Sequence, residues 1–104
     1  MDSEIFDWKN GQVTFWVLDR LRADLALGEQ VIFLREDLAQ IEFPNSRLLD
    51  VGWYPTLKED GRFIVQVIKD KNWDDPVLHV EVPSLETLRE AINGAILCAA
   101  GGEV

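Results

Sequence analysis

The sequence predicts a single α+β domain in which a four-stranded antiparallel sheet lies between an N-terminal and a C-terminal helix, in the order α-β-β-β-β-α. Three observations predict this fold class. The chain has 104 residues, which fit one hydrophobic core. Four short apolar stretches are separated by turn signals, and an amphipathic segment with a helix cap follows them. We expect one domain over residues 1–104, with flexible ends at residues 1–9 and 100–104.

The first predicted element is a helix over residues 13–27. Its apolar residues recur at helical spacing, at positions 13, 16, 17, 21 and 25, and Gly28 follows where a C-terminal cap would lie. A hairpin strand is the competing interpretation, because Asn10-Gly11 is a turn signal and residues 13, 15 and 17 are apolar at strand spacing. We favour the helix, since a strand would direct Trp16 and Leu18 outward.

Four strands are predicted in the middle of the chain, at residues 38–43, 48–54, 63–69 and 77–82. The turn Pro44-Asn45-Ser46 separates the first two strands, and the turn signal Asp60-Gly61 precedes the third. A polar loop over residues 70–76 leads into the fourth strand. Because each connection is short, we expect the strands to form an antiparallel meander.

The last predicted element is a helix that begins at the sequence Pro83-Ser84. Ser84 is a preferred N-cap residue, and Glu86 lies in the first turn, where the helix dipole favours negative charge. The apolar residues of the segment share one helical face, which consists of Leu85, Leu88, Ile92, Ala95 and Ile96. We expect the helix to end at Gly101.

Strand parity predicts the two faces of the sheet. One face is apolar and should be buried under the last helix, with Leu49, Val51, Trp53, Phe63, Val65, Val67, Leu78, Val80 and Val82. The opposite face is mixed, with Leu48, Asp50, Tyr54, Ile64, Gln66, Ile68, Val77, His79 and Glu81. This mixture is too apolar for an ordinary solvated surface and too polar for a core. We expect the first helix to cover part of it, and the alternative is a docking surface.

The charge balance bears on the class of partner. Acidic residues outnumber basic residues by 19 to 10, which gives a net charge of −9. Such a surface repels nucleic-acid phosphates and anionic lipid headgroups, so we expect neither nucleic-acid binding nor membrane binding. The same field attracts a basic protein partner. The alternative is that the charge only keeps a small protein in solution.

Cysteine content and the N-terminal segment bear on the compartment. Cys98 is the single cysteine, so no disulfide within the chain forms, and we expect a reducing compartment. Residues 1–9 carry acidic side chains where a signal peptide would need positive charge. The longest apolar run, residues 95–100, is far shorter than the roughly 20 residues of a transmembrane helix. We therefore expect a cytoplasmic protein.

The sequence contains few groups that could carry out catalysis. The single histidine, His79, shares a strand face with Glu81, and Asp50 could approach them from another strand. A small metal-binding or hydrolytic domain that uses these three residues is therefore an alternative hypothesis. No nucleophile motif, phosphate loop or cysteine pair accompanies them. We expect a protein that is not an enzyme, with no catalytic residue and no cofactor.

Among known metal sites, the sequence most nearly matches the ligand spacing of a calcium-binding loop. Asp70, Asn72, Asp74 and Glu81 reproduce four ligand spacings of an EF-hand loop. However, Asp75 occupies the position where that loop needs glycine, and the flanking segments are predicted strands. We therefore expect no metal site.

The most specific binding signal is an aromatic residue within an acidic loop. Trp73 lies between Asp70 and Asp75, and a large aromatic side chain surrounded by charge is typical of an interface anchor. The alternative is that Trp73 folds back onto the sheet edge. The predicted partner-binding residues are Tyr54, Glu59, Asp60, Asp70, Trp73, Asp74 and Asp75.

The middle of the chain resembles a known class of proteins. Residues 48–55, 61–70 and 72–76 are similar to immunity proteins of bacterial contact-dependent growth inhibition and of related polymorphic toxin systems. The resemblance implies an antitoxin that binds the C-terminal domain of a toxin delivered by a neighbouring cell, often a nuclease, and blocks its active site or substrate groove. A structural adaptor subunit is a third hypothesis, and self-association stays open.

Overall fold

The computed structural model describes residues 1–101, which form a five-stranded antiparallel sheet and one α-helix. The strands are β1 Gln12–Trp16, β2 Ala39–Glu42, β3 Arg47–Tyr54, β4 Arg62–Lys69 and β5 Leu78–Val82, and the helix α1 spans Leu85–Ala99. The strands lie side by side in chain order. The α+β meander with a C-terminal helix is thus confirmed, but the prediction missed one strand. Residues 102–104 of the expected flexible tail lie outside the described residues.

The predicted helix over residues 13–27 is wrong. Residues 13–17 are all β-branched or aromatic, which favours a strand, and β1 forms here. The pairing of β1 with β2 shifts between Val13 and Phe15, and this bulge lets Val13 and Trp16 both pack against the core. In a regular strand Trp16 would point away from the core, which was the reason for favouring a helix. The bulge changes this alternation, so Trp16 packs inward within a strand. The chain then continues in short 3-10 helices at Leu18–Arg20 and Leu27–Phe33.

One face of the sheet forms the core, as predicted. The inward residues of β3 and β4 are almost fully buried, namely Leu49, Val51, Trp53, Phe63, Val65 and Val67. Trp53 and Phe63 are partners in the strand register and pack edge to face, with ring centroids 4.8 Å apart. Helix α1 covers this face through Leu88, Ile92, Ala95, Ile96 and Ala99.

Side chains from neighbouring segments fix both ends of α1. Ser84 is the N-cap, as predicted, and its hydroxyl accepts a hydrogen bond of 3.1 Å from the backbone N–H of Thr87. At the other end, the Asn45 side chain donates to the Ala99 carbonyl at 3.0 Å, and the Arg47 guanidinium donates to the Cys98 carbonyl. The cation lies where the helix dipole favours it. The β2–β3 turn therefore holds the helix C-terminus.

The N-terminal segment closes the core beside β1. Phe6, Trp8 and Trp16 form an aromatic cluster, with ring centroids 5.1 to 6.0 Å apart. The segment between β1 and β2 adds Leu18, Leu21 and Leu34 to the same buried cluster as α1. The segment thus packs with the core and forms no helix over the opposite face of the sheet. No helix within residues 1–101 has the length and apolar character needed to cross a membrane.

Candidate functional site

Within residues 1–101, no α-helix or further strand packs over the face of the sheet opposite α1, although the backbone at Glu36 reaches this face beside Gly52. We call it the open face, and its side chains are those of Gln12, Phe15, Gln40, Glu42, Leu48, Asp50, Tyr54, Arg62, Ile64, Gln66, Ile68, His79 and Glu81, with Gly52 among them. Most of these side chains are exposed or half-buried. The expectation that an N-terminal helix covers this face is wrong, because the segment that should form it packs into the core instead.

A row of polar side chains crosses the middle of the open face. The strand register places Gln40, Asp50, Gln66 and His79 side by side on β2, β3, β4 and β5. Neighbours in such a row have Cβ atoms about 5 Å apart, so their side chains can interact. The Gln40 amide donates a hydrogen bond of 3.1 Å to the Asp50 carboxylate. The row therefore gives a partly apolar face a line of hydrogen-bonding groups.

Asp50 is the buried member of this row. Its side chain lies on the open face, yet the residue is only 3% exposed. Burial raises the pKa of the Asp50 carboxyl above its usual value, the hydrogen bond from Gln40 lowers it in part, and the negative charge of Asp37 raises it further. The ionised carboxylate therefore costs stability at neutral pH.

Backbone from the segment before β2 reaches the open face at Gly52. Two hydrogen bonds hold this segment to β3: the Leu38 N–H donates to Val51 at 2.9 Å, and the Arg35 carbonyl accepts from Trp53 at 2.8 Å. Between these bonds the chain loops out, so that a Cβ atom at position 52 would overlap the Glu36 carbonyl oxygen. Only glycine leaves space for this approach.

Tyr54 lies beside this contact and joins a cluster of carboxylates. Its hydroxyl donates a hydrogen bond of 3.3 Å to the Glu36 carbonyl. Burial and three nearby charges raise the pKa of the Tyr54 hydroxyl, the charges being those of Asp50, Glu36 and Asp37. We call these four residues the acidic cluster. Among the described residues, no lysine, arginine or histidine forms an ion pair with its three carboxylates.

A groove of about 620 Å³ lies at the other end of the open face. Trp73 of the β4–β5 loop lines it together with the apolar side chains of Leu48 and Ile68. Its polar lining includes Glu42 and Asp70. Trp73 keeps about half of its surface exposed, at 47%, so the groove presents an indole ring to an incoming partner.

The structure divides the predicted partner-binding residues into two groups. Tyr54, Glu59 and Asp60 lie where β3 leads into β4, and Asp70, Trp73, Asp74 and Asp75 lie beyond the far end of β4. The eight residues of β4 hold the groups roughly 25 Å apart. Tyr54 belongs to the open face, and Trp73 and Asp70 line its groove. Glu59 lies against Gly28, in the segment between β1 and β2.

Sequence reasoning missed several residues of the open face. Gln40 and Glu42 were not singled out, and neither were Glu36 and Asp37 of the acidic cluster. A signal for the cluster exists, because Gly52 interrupts a predicted strand, and glycine within a strand is typical of a close backbone approach.

The residues of the alternative catalytic hypothesis are only partly brought together. His79 Nε2 lies 3.0 Å from the Glu81 carboxylate, and both side chains are exposed. Asp50 is two strands away, roughly 10 Å, with Gln66 between. Among residues 1–101 there is no group of three or more histidine, cysteine, aspartate or glutamate side chains that could hold a metal ion. No protein-family model, no curated protein and no solved structure matches the chain.

Proposed function

We propose that this protein is an immunity protein that binds a basic toxin domain, such as a nuclease, in a stoichiometric complex through the open face of its sheet. The observation that carries the proposal is the composition of that face, where exposed aromatic side chains accompany the carboxylates of Glu42 and Asp50, which form no ion pair with another described residue. Each part of this composition supports binding to a basic surface.

The aromatic residues supply anchors for a partner. Phe15, Tyr54 and Trp73 are 41%, 37% and 47% exposed, at three separate positions around the open face. Interfaces concentrate their binding energy in large aromatic residues of this kind. The groove beside Trp73 adds a recess into which a partner side chain can insert.

The charge supplies long-range attraction. A nuclease must present a basic groove to its substrate phosphates, and a protein with a net charge of −9 competes for that groove electrostatically. Glu42, Asp50 and Glu81 place part of this charge on the open face itself. The resemblance of residues 48–55, 61–70 and 72–76 to immunity proteins supports the same class of function.

The proposal is tested by neutralisation of the toxin domain encoded next to this protein. Cells that express both proteins should survive, and the purified pair should form a one-to-one complex. Combined replacement of Trp73 and Tyr54 by alanine should abolish protection, because it removes the anchors of two ends of the open face.

A matched control is available on the opposite side of the molecule. Leu97→Ala removes an even more exposed apolar side chain from α1, where Leu97 is 60% exposed, and should leave protection intact. Full protection by the Trp73 and Tyr54 double variant, or equal loss in the Leu97 variant, would exclude the open face as the binding surface.

A further inference from the structure

The outer edge of β5 is open to the addition of another strand. β5 is the last strand of the sheet, and within residues 1–101 it pairs with β4 alone. Such an edge presents backbone N–H and C=O groups with which a further strand can pair. We propose that this edge pairs with the same edge of a second copy of the chain and forms a symmetric dimer with one continuous sheet. This inference goes beyond the proposed function and does not rest on it.

The sequence of β5 is complementary to itself when two copies are placed antiparallel. With Val80 of each copy on the two-fold axis, His79 falls opposite Glu81 of the second copy, and Glu81 falls opposite its His79. Leu78 and Val82 face each other in the same way. Alternate residues of a strand direct their backbone groups to the same side, so either set finds hydrogen-bond partners in this register.

His79 and Glu81 form the polar part of this contact. Within one copy, His79 Nε2 lies 3.0 Å from the Glu81 carboxylate, and both side chains are exposed on the open face. Two copies bring four such side chains together, with each histidine between two carboxylates and the two carboxylates on a diagonal. Their register partners on β4 are Gln66 and Ile64, which carry no charge. The edge is therefore complementary in charge to itself, although the whole chain has a net charge of −9.

The apolar side chains of β5 are incompletely covered in a single copy. Leu78, Val80 and Val82 face the core but are only half-buried. Their register partners on β4 are fully buried, because a strand lies on either side of them. A strand of the second copy lies about 4.8 Å from β5 and covers its outer flank, which adds apolar burial to the backbone hydrogen bonds.

Helix α1 leaves room for this pairing. It covers the sheet chiefly over β4, one strand in from the edge. In the dimer the two copies of α1 are then separated by three strand spacings, about 14 Å. Helices in direct contact lie about 8–10 Å apart, so the two helices do not collide.

The other edge of the sheet is less suited to the addition of a strand. The bulge between Val13 and Phe15 interrupts the spacing of β1, and bulges protect edges by twisting them. β5, in contrast, pairs with β4 in unbroken register from Leu78 to Val82. The regular edge is therefore the one that we assign to the dimer.

Sedimentation equilibrium of the full chain tests the proposal. The salt concentration should be about 0.15 M, where screening over about 8 Å weakens the repulsion between two acidic bodies. A reducing agent prevents cross-linking through Cys98. We expect a monomer–dimer equilibrium with a dissociation constant of about 10–100 μM, because a pairing of five residues is smaller than a standard interface.

Isotope-filtered NOEs locate the contact. In an equal mixture of labelled and unlabelled protein, they should join the Val80 methyl groups of one copy to those of the other. Filtered NOEs from β1 or α1 in place of β5 would overturn the proposal, and so would a chain that stays monomeric at about 1 mM.

Charge variants test the register. His79→Glu places a carboxylate opposite Glu81 at two symmetric positions and should weaken the dimer about tenfold. Combination with Glu81→Lys restores opposite charges across the axis and should return the dissociation constant to within about threefold of the parent value. Both positions are exposed, so the variants should fold like the parent, which circular dichroism checks.

A matched control adds the same charge at the opposite edge. Gln12→Glu changes an exposed residue of β1 and should leave the dissociation constant unchanged. Equal weakening by His79→Glu and Gln12→Glu would overturn the pairing, because net charge alone would then account for the loss. A double variant as weak as His79→Glu would also overturn it.

Discussion

The hydroxyl of Tyr54 donates a hydrogen bond to the backbone carbonyl of Glu36, over a distance of 3.3 Å. This bond links the end of β3 to the loop that precedes β2, two segments that are 18 residues apart in the chain. It holds the Tyr54 ring beside the carboxylates of the open face. The position of the ring therefore depends on one side chain and one carbonyl group.

Removal of this hydroxyl should have a small and specific effect. Tyr54→Phe keeps the ring and deletes the donor, so the free energy of unfolding should fall by about 0.5–1 kcal/mol. Urea denaturation measures the change. Because the site is partly exposed, water can replace the lost donor, and a loss above about 2 kcal/mol would contradict this account.

Replacement of Asp50 should make the protein more stable at neutral pH. The raised pKa of Asp50 means that the folded protein binds this proton more tightly than the unfolded chain does. As the pH falls through the folded-state pKa of Asp50, protonation of this carboxyl should therefore stabilise the parent protein. The gain should end near pH 4, where the Asp50 carboxyl of the unfolded chain also becomes protonated. Asp50→Asn removes the cost of the charge and keeps an acceptor for Gln40.

Urea denaturation over a range of pH checks this prediction. The stability difference between Asp50→Asn and the parent should be largest at pH 7 and should shrink as the pH falls towards about 4. Asp74→Asn, in the exposed β4–β5 loop, provides a control for the loss of one negative charge. If the stability difference between Asp50→Asn and the parent did not change with pH, protonation of Asp50 would not contribute to the pH dependence of stability.

Two glycines should respond to alanine in opposite directions. At Gly52 the added methyl group meets the backbone of Glu36, which cannot move without breaking the flanking hydrogen bonds, so stability should fall by about 2 kcal/mol. At Gly94, within α1, an added methyl group meets no atom within 4 Å, and alanine should raise stability by roughly 0.5–1 kcal/mol. Thermal or urea denaturation measures the change in stability of each variant. If alanine changed stability equally at the two positions, the close approach of the Glu36 backbone to Gly52 would be refuted.

Complex formation with a basic toxin domain should depend on salt mainly through association. The net charge of −9 accelerates encounter at low ionic strength, so the association rate should fall about tenfold between roughly 0.05 M and 0.5 M salt. The dissociation rate should change far less, since apolar contacts around Trp73 and Tyr54 are not screened. Stopped-flow measurements separate the two rates. An association rate that does not change with salt would show that charge does not drive the encounter.

Much of the fold could be predicted because its signals are local. The strands from β2 to β5 each carry an alternating pattern between turn signals, and Ser84 marks the start of α1. β1 could not be predicted in this way, because its partner lies beyond a segment of 22 residues and its bulge disturbs the alternation. The apolar pattern that begins at residue 13 fits both a strand and a helix, and the predicted helix is the wrong one of the two.

The candidate site was less predictable than the fold, and the reason is geometric. Trp73 and Tyr54 stood out by residue type and do border the open face. The acidic cluster depends on a loop at Glu36 and Asp37 that crosses to Gly52, and no local pattern specifies where such a loop goes. Residue type alone also could not reveal that Glu59 and Asp70 lie at opposite ends of a strand.

The attachment of the α1 C-terminus to the β2–β3 turn has a consequence for synthesis of the protein. Asn45 and Arg47 bond to carbonyls that follow them by 54 and 51 residues. During synthesis β1 to β4 therefore leave the ribosome before α1 does, and their apolar face lacks its covering helix until α1 emerges. Contacts of such large sequence separation slow folding, so this interval is when the chain is most exposed to misassembly and most in need of chaperones.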